Sequence, residues 1–158
     1  MDEREYWQIA AGDGSIDLPK IFTELNVALL GPGQFGDFFD NKETYEEYSD
    51  GHLVQKFAEE IQIGDVLVMK HIKDSHKKTW EIQAVGVVEG PYRYEPIFSS
   101  ITPSKWNVQH CRRVAWKVPK EPLIVQRGGA PIRLQRLNEG NPLREKAIEV
   151  MNGKIECE

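Results

Sequence analysis

The run Ile63-Gly64-Asp65-Val66-Leu67-Val68-Met69-Lys70 constrains this chain more than any other stretch. After a short polar break it is followed by Trp80-Glu81-Ile82-Gln83-Ala84-Val85-Gly86-Val87-Val88-Glu89-Gly90. Gly64 and Asp65 make a tight turn, because glycine accepts φ > 0 and an aspartate side chain can bond its own backbone. A β-branched run leaves that turn, a polar loop reverses the chain, and a second apolar run returns. The pattern predicts two neighbouring antiparallel strands, Ile63–Lys70 and Trp80–Val88, with Gly86 and Gly90 where the returning strand must bend. A close-packed β-barrel is built from hairpins of this kind.

The remaining elements are short. Residues 5–11 (Glu-Tyr-Trp-Gln-Ile-Ala-Ala) read as a strand. Asp17 caps a brief helix with Pro19 in its first turn and Ile21, Phe22 and Leu25 as its buried stripe. Val27–Leu30 reads as a strand, and the three glycines and one proline of Gly31-Pro32-Gly33-Gln34-Phe35-Gly36-Asp37 force a loop. A helix capped by Asp50 is expected over 51–61, with Leu53, Val54, Phe57, Ala58 and Ile61 on one face. Cys111–Val118 alternates, placing Val114, Trp116 and Val118 opposite Arg113, Ala115 and Lys117. Leu123–Val125 is a short strand. A last helix starts at Asn141-Pro142 and stops at Gly153. Strands separated by so little helix indicate an α+β barrel rather than a doubly wound parallel sheet.

Length and charge bound the function. A chain of 158 residues makes one domain, with 40% hydrophobic and 28% charged residues, the balance of a soluble globular protein. No apolar run approaches the roughly 20 residues of a membrane helix. The acidic N-terminus lacks the order of a signal peptide, and two cysteines make no disulfide framework, so a reducing cytoplasm is expected. The net charge of −5 is unevenly spread: residues 1–60 carry 14 acids and 4 bases, while residues 61–136 carry 6 acids and 13 bases. A basic body beside an acidic third can orient a polyanion on one face, and it can equally be solvated decoration.

Three constellations carry chemistry. The aromatic set is Trp7, Phe35, Tyr92, Tyr94, Trp106 and Trp116. A protein that reads one base must replace its lost stacking with aromatic faces. Trp116, alternating with Val114 and Val118, reads better as core. The glycine loop offers backbone N–H groups together with Gln34 and Asp37, an amide and a carboxylate of the type that reads base edges. The basic residues Lys70 and Lys73 on the hairpin, and Arg112, Arg113 and Lys117 on the later strand, are candidates for phosphate contacts, with Arg127, Arg133 and Arg136 following. The four histidines have no metal-ligand spacing and no nucleophile motif occurs, so neither a catalytic residue, a metal nor a cofactor is expected.

In order, these landmarks resemble a PUA-like domain of the EVE/YTH type, the kind found as the N-terminal recognition module of McrB-type restriction systems. They are the aromatic first strand Tyr6-Trp7, the loop Leu30-Gly31 to Gly36-Asp37, and Ile63-Gly64-Asp65-Val66. Ala84-Val85-Gly86-Val87-Val88 with Tyr92-x-Tyr94 follows, then His110-Cys111-Arg112-Arg113-Val114-Ala115-Trp116. The resemblance covers roughly residues 5–120. It implies a twisted barrel of five to six strands flanked by short helices, with residues 1–120 as the base-recognition domain and 121–158 as a strand and helix packing on or extending it. It also implies a pocket for a flipped, modified base, probed here by Trp7, Gln34, Phe35, Asp37, Tyr92, Tyr94 and Trp106. The implied partner is nucleic acid, DNA by preference, with a fused or separate ATPase or nuclease subunit. Two other classes stand beside it: a nucleoside-handling enzyme on a related barrel with Asp37 as base, and a domain whose acidic third binds a basic protein.

Overall fold

The computed structural model describes residues 4–12, 17–74, 76, 78–99 and 107–158. Trp106 lies outside them. The fold is α+β, a curled half-barrel sheet with a few short helices. Its strands are β1 (Tyr6–Ala10), β2 (Val27–Leu30), β3 (Val66–Asp74), β4 (Thr79–Val88), β5 (Arg93–Tyr94), β6 (His110–Lys117), β7 (Leu123–Val125) and β8 (Leu134–Leu137). The helices are α1 (Leu18–Leu25), α2 (Lys42–Glu47), α3 (Gly51–Gln55) and α4 (Pro142–Met151). None of the described helices is long and apolar enough to cross a membrane.

The β3–β4 hairpin is the spine, antiparallel from Val66↔Val87 to Asp74↔Thr79. The sheet runs β2-β6-β4-β3-β1-β8, with β5 added to β6 and β7 to β4. β1 joins β3 in parallel and β8 antiparallel, so residues beyond 120 extend the same sheet through β7 and β8. Both faces are covered, which is why Val66-Leu67-Val68-Met69 is continuously apolar rather than alternating. Leu67 and Met69 share one core with Trp7, Ile9, Phe22 and Val54, while Val66 and Val68 share the other with Tyr6, Leu137, Leu143 and Ala147. α4 belongs to the second of these cores.

Among the described residues the sheet does not close by strand pairing. β2 and β8 are its two edges. Arg133 spans them instead: one guanidinium nitrogen donates to Gly31 O at 2.7 Å, just past β2, and another lies 3.4 Å from Asp50. The expected barrel is therefore a sheet whose last gap is bridged by a side chain.

Gly86 shows why the returning strand needs a glycine. A Cβ there would fall 2.5 Å from Val114 Cγ1 and 2.7 Å from the Trp116 ring, against which Gly86 is registered. Gly86→Ala should lose about 1–3 kcal/mol to overpacking, read from urea denaturation. An unchanged midpoint would show that β6 can yield.

Several local expectations are corrected. An element not expected from the sequence, α2, precedes residue 51; its Tyr45 is fully buried, while Glu43, Glu46 and Glu47 stay exposed. The helix expected over 51–61 gives way after Gln55 to one wider π-helical turn, Lys56–Glu60. The Asp50 side chain makes no capping bond to α3. Leu25 is 54% exposed, not part of a buried stripe. Asp17 does cap α1, accepting from Lys20 N at 3.2 Å, and Asn141 caps α4.

Candidate functional site

The loop after β2 is held by its own carbonyls. Gly31 O accepts from Arg133, Pro32 O from His110 Nε2 at 2.7 Å, and Gly33 O from the Tyr94 hydroxyl at 2.6 Å. Gly36 O accepts from the Tyr45 hydroxyl at 2.6 Å, and Asp37 O from the Asn41 amide at 2.9 Å. Side-chain donors thus reach five carbonyls of a seven-residue loop, which fixes its path without any regular ladder.

His110 is the centre of this arrangement. It is fully buried on β6, with its ring 5.2–5.7 Å from those of Tyr45, Tyr92 and Tyr94. Its tautomer follows from its partners. Pro32 O can only accept, so Nε2 carries the proton and Nδ1 accepts from the Tyr92 hydroxyl at 2.6 Å. That hydroxyl in turn accepts from Phe38 N at 2.9 Å. Burial pulls the His110 pKa down to about 4, against weaker opposition from the Pro32 bond and Asp37. Burial also raises the Tyr45, Tyr92 and Tyr94 phenols above their ordinary value.

The proposed pocket residues therefore divide. Tyr92 and Tyr94 are brought together, but as struts of the loop. Phe35 is wedged between Tyr45 and Tyr48, at 5.6 and 5.3 Å between ring centroids. Asp37 turns Oδ1 back on Phe39 N at 2.8 Å and Asp40 N at 3.3 Å. Trp7 is corrected from pocket wall to core: it is 3% exposed and its indole donates to buried Asp65 at 3.2 Å. Among the described candidates Gln34 is the most open, at the exposed tip of the loop, while Phe35, Asp37, Tyr92 and Tyr94 are half-buried.

Gln34 lines a cleft of about 210 Å³ with Tyr48, Asp50, Asn107, Arg133 and the backbone of Gly31. Tyr48 is 39% exposed and supplies an aromatic surface. The amides of Gln34 and Asn107 offer both donors and acceptors, and Asp50 and Arg133 offer one charge of each sign. The volume lies below the roughly 300–1,000 Å³ of drug-sized sites and suits one small ring system. Sequence reasoning did not single out Tyr48 or Asp50 for the site; they sit among exposed acidic neighbours and belong to no motif. Asn107 and Arg133 were visible only as a polar neighbour of Trp106 and one basic residue among many.

The expected phosphate face is also corrected: Arg112 is 3% exposed and Lys70 5%, so neither belongs to an exposed basic surface shared with Arg113 and Lys117, and Lys70 instead lines a cleft of its own. Arg112 shares strand parity with Val114 and Trp116, so it points to the side opposite Arg113 and Lys117. Its guanidinium donates to Gly90 O at 3.0 Å and to Phe57 O and Ile61 O, both at 2.9 Å. Arg113 and Lys117 remain exposed on β6. Lys73 is exposed and pairs with Glu81 at 3.5 Å.

Residues 7–139, from β1 to just past β8, match the model of the family described as Domain of unknown function (DUF8426). The chain belongs to that family. No curated protein matches it.

Proposed function

We propose that this protein is a nucleic-acid-binding module of the PUA-like, EVE/YTH type. It holds a single base, modified by preference, in the cleft between the glycine loop and Tyr48. One observation carries this reading: a cleft of about 210 Å³ bordered by an aromatic ring and two amides, backed by a loop pinned at five carbonyls. A flipped base needs a π surface, edge-reading groups and a rigid frame to distinguish a small modification. In this reading the chain acts on DNA as the specificity component of a modification-dependent restriction system, with ATPase or nuclease action supplied by a fused or separate subunit. Binding, not turnover, is its task.

The test is titration with matched oligonucleotides carrying unmodified, methylated-adenine, methylated-cytosine and hydroxymethylated-cytosine bases. One modified form should bind more tightly than the unmodified strand. Tyr48→Ala should weaken that form by about 1–3 kcal/mol, the worth of one base–aromatic stack, and narrow the discrimination. Gln34→Ala should affect discrimination more than affinity. If both variants keep wild-type affinity and preference, the base does not sit in this cleft.

A further inference from the structure

A second cleft, of about 240 Å³, shares Arg133 with the first. It is lined by Lys70, His71, Ile72, Trp80 and Ile132, and among the described residues no carboxylate lines it. Lys70 is its most buried cation. The ammonium donates to Ala130 O at 2.7 Å and stands 4.7 Å from the centre of the Trp80 ring. This geometry is preformed. Gln8 grips Ala130 twice, accepting from its N–H and donating to its carbonyl, both at 3.2 Å. Gly129 lies against Trp80 so closely that a Cβ would fall 2.3 Å from the ring. An ammonium has three N–H donors, yet among the described residues this one has a single oxygen acceptor. Burial lowers the Lys70 pKa to about 8, which leaves it mostly protonated at neutral pH. Among the described residues, then, Lys70 has donors to spare beside an apolar cleft, next to the cleft assigned to the base.

We propose that the Lys70 cleft takes the phosphate adjoining the base held against Tyr48, with Lys70 as its cation and Arg133 as the residue common to both subsites. This rests on the base-binding reading. The phosphate oxygens supply acceptors for the two N–H groups of Lys70 not bonded to Ala130, and the bond is charge-assisted. Ile72 and Ile132 line the cleft without competing for the anion. The recognised unit is then a nucleotide within a strand, not a free base. The contact also differs from a surface phosphate track, because one phosphate is held in a fixed place relative to the base.

The experiment compares wild type with Lys70→Met, which keeps the stem length over Trp80. Each is titrated with the preferred oligonucleotide and with the same strand carrying uncharged methylphosphonates on both sides of the read base. Inorganic phosphate is titrated separately. Neutralising those phosphates should weaken wild type about ten-fold, the scale of one charge-assisted hydrogen bond. Lys70→Met should already be weaker by that factor and should lose little more on the neutral strand. Inorganic phosphate should bind wild type and not the variant. Ile132→Glu provides a second route: Ile132 is 38% exposed, so the fold tolerates the change, and a carboxylate there should repel the phosphate. If Lys70→Met and Ile132→Glu lose as much as wild type on neutralisation, and both bind inorganic phosphate normally, the proposal is overturned. If no oligonucleotide binds but inorganic phosphate binds through Lys70, the base reading fails and the anion site stands.

Discussion

Arg112→Ala should destabilise the fold by about 3–5 kcal/mol, the range for removing one partner from a buried charged network. The guanidinium ties three segments together: β6, the chain after β4 through Gly90 O, and the π-helical turn through Phe57 O and Ile61 O. Truncation strands three carbonyls and opens a cavity. Each buried unsatisfied group alone costs about 1–3 kcal/mol. Burial pulls the Arg112 pKa below its ordinary value, opposed chiefly by nearby Asp65. Asp65 is itself held by Glu5 N, Gln62 N and the Trp7 indole. Arg112→Lys should recover only part of the loss, because an ammonium cannot reproduce the planar fork of donors. Denaturant midpoints of the three proteins test this. A surface phosphate contact would give the opposite pattern: wild-type stability with weaker, less salt-dependent binding. A wild-type midpoint for Arg112→Ala would refute the structural role.

Acid should loosen the protein through His110. In the unfolded chain the imidazole takes up a proton near its ordinary pKa of 6.5, whereas in the fold it resists protonation until about pH 4. Between those values the unfolded state binds more protons, so stability falls as pH drops from about 6.5 to about 4. The full loss is about 3 kcal/mol, on the scale of 1.36 kcal/mol per pKa unit. The local consequence is specific. A proton on Nδ1 removes the acceptor for the Tyr92 hydroxyl, which also receives Phe38 N. The glycine loop should therefore lose its frame in the same pH window. The check is the pH dependence of stability in wild type and His110→Asn, each referred to its own value at pH 7. The carboxylates contribute similarly to both, so the difference in slope isolates the histidine. Parallel curves between pH 6.5 and 4 would remove His110 from the account.

The fold was legible where local signals agreed. The hairpin combined a Gly-Asp turn with two β-branched runs, α1 had Asp17 and Pro19, and α4 had Asn141, Pro142 and Gly153. β8 was not legible because Leu134 and Leu137 are three residues apart, and in a strand that places them on opposite faces. Each serves a different core, so no period of two appears. α2 was hidden because Tyr45 is its one buried residue among charged neighbours. Arg112 could have been read correctly from its parity with Val114. The candidate cleft could not, since Gln34, Tyr48, Asp50, Asn107 and Arg133 come from widely separated segments and form no motif along the chain.

The Arg133 bridge has a mechanical consequence. Every other junction along the curled sheet is a ladder of backbone hydrogen bonds that must break in register if it is to widen. The gap between β2 and β8 is spanned by the rotatable side chain of Arg133 instead. Its methylene stem can change rotamer at a fraction of the energy of disrupting a ladder. The sheet is therefore softest along this seam, where both clefts lie. In the base-binding reading proposed above, a bulkier base would be admitted by parting the seam while the hairpin spine stays intact.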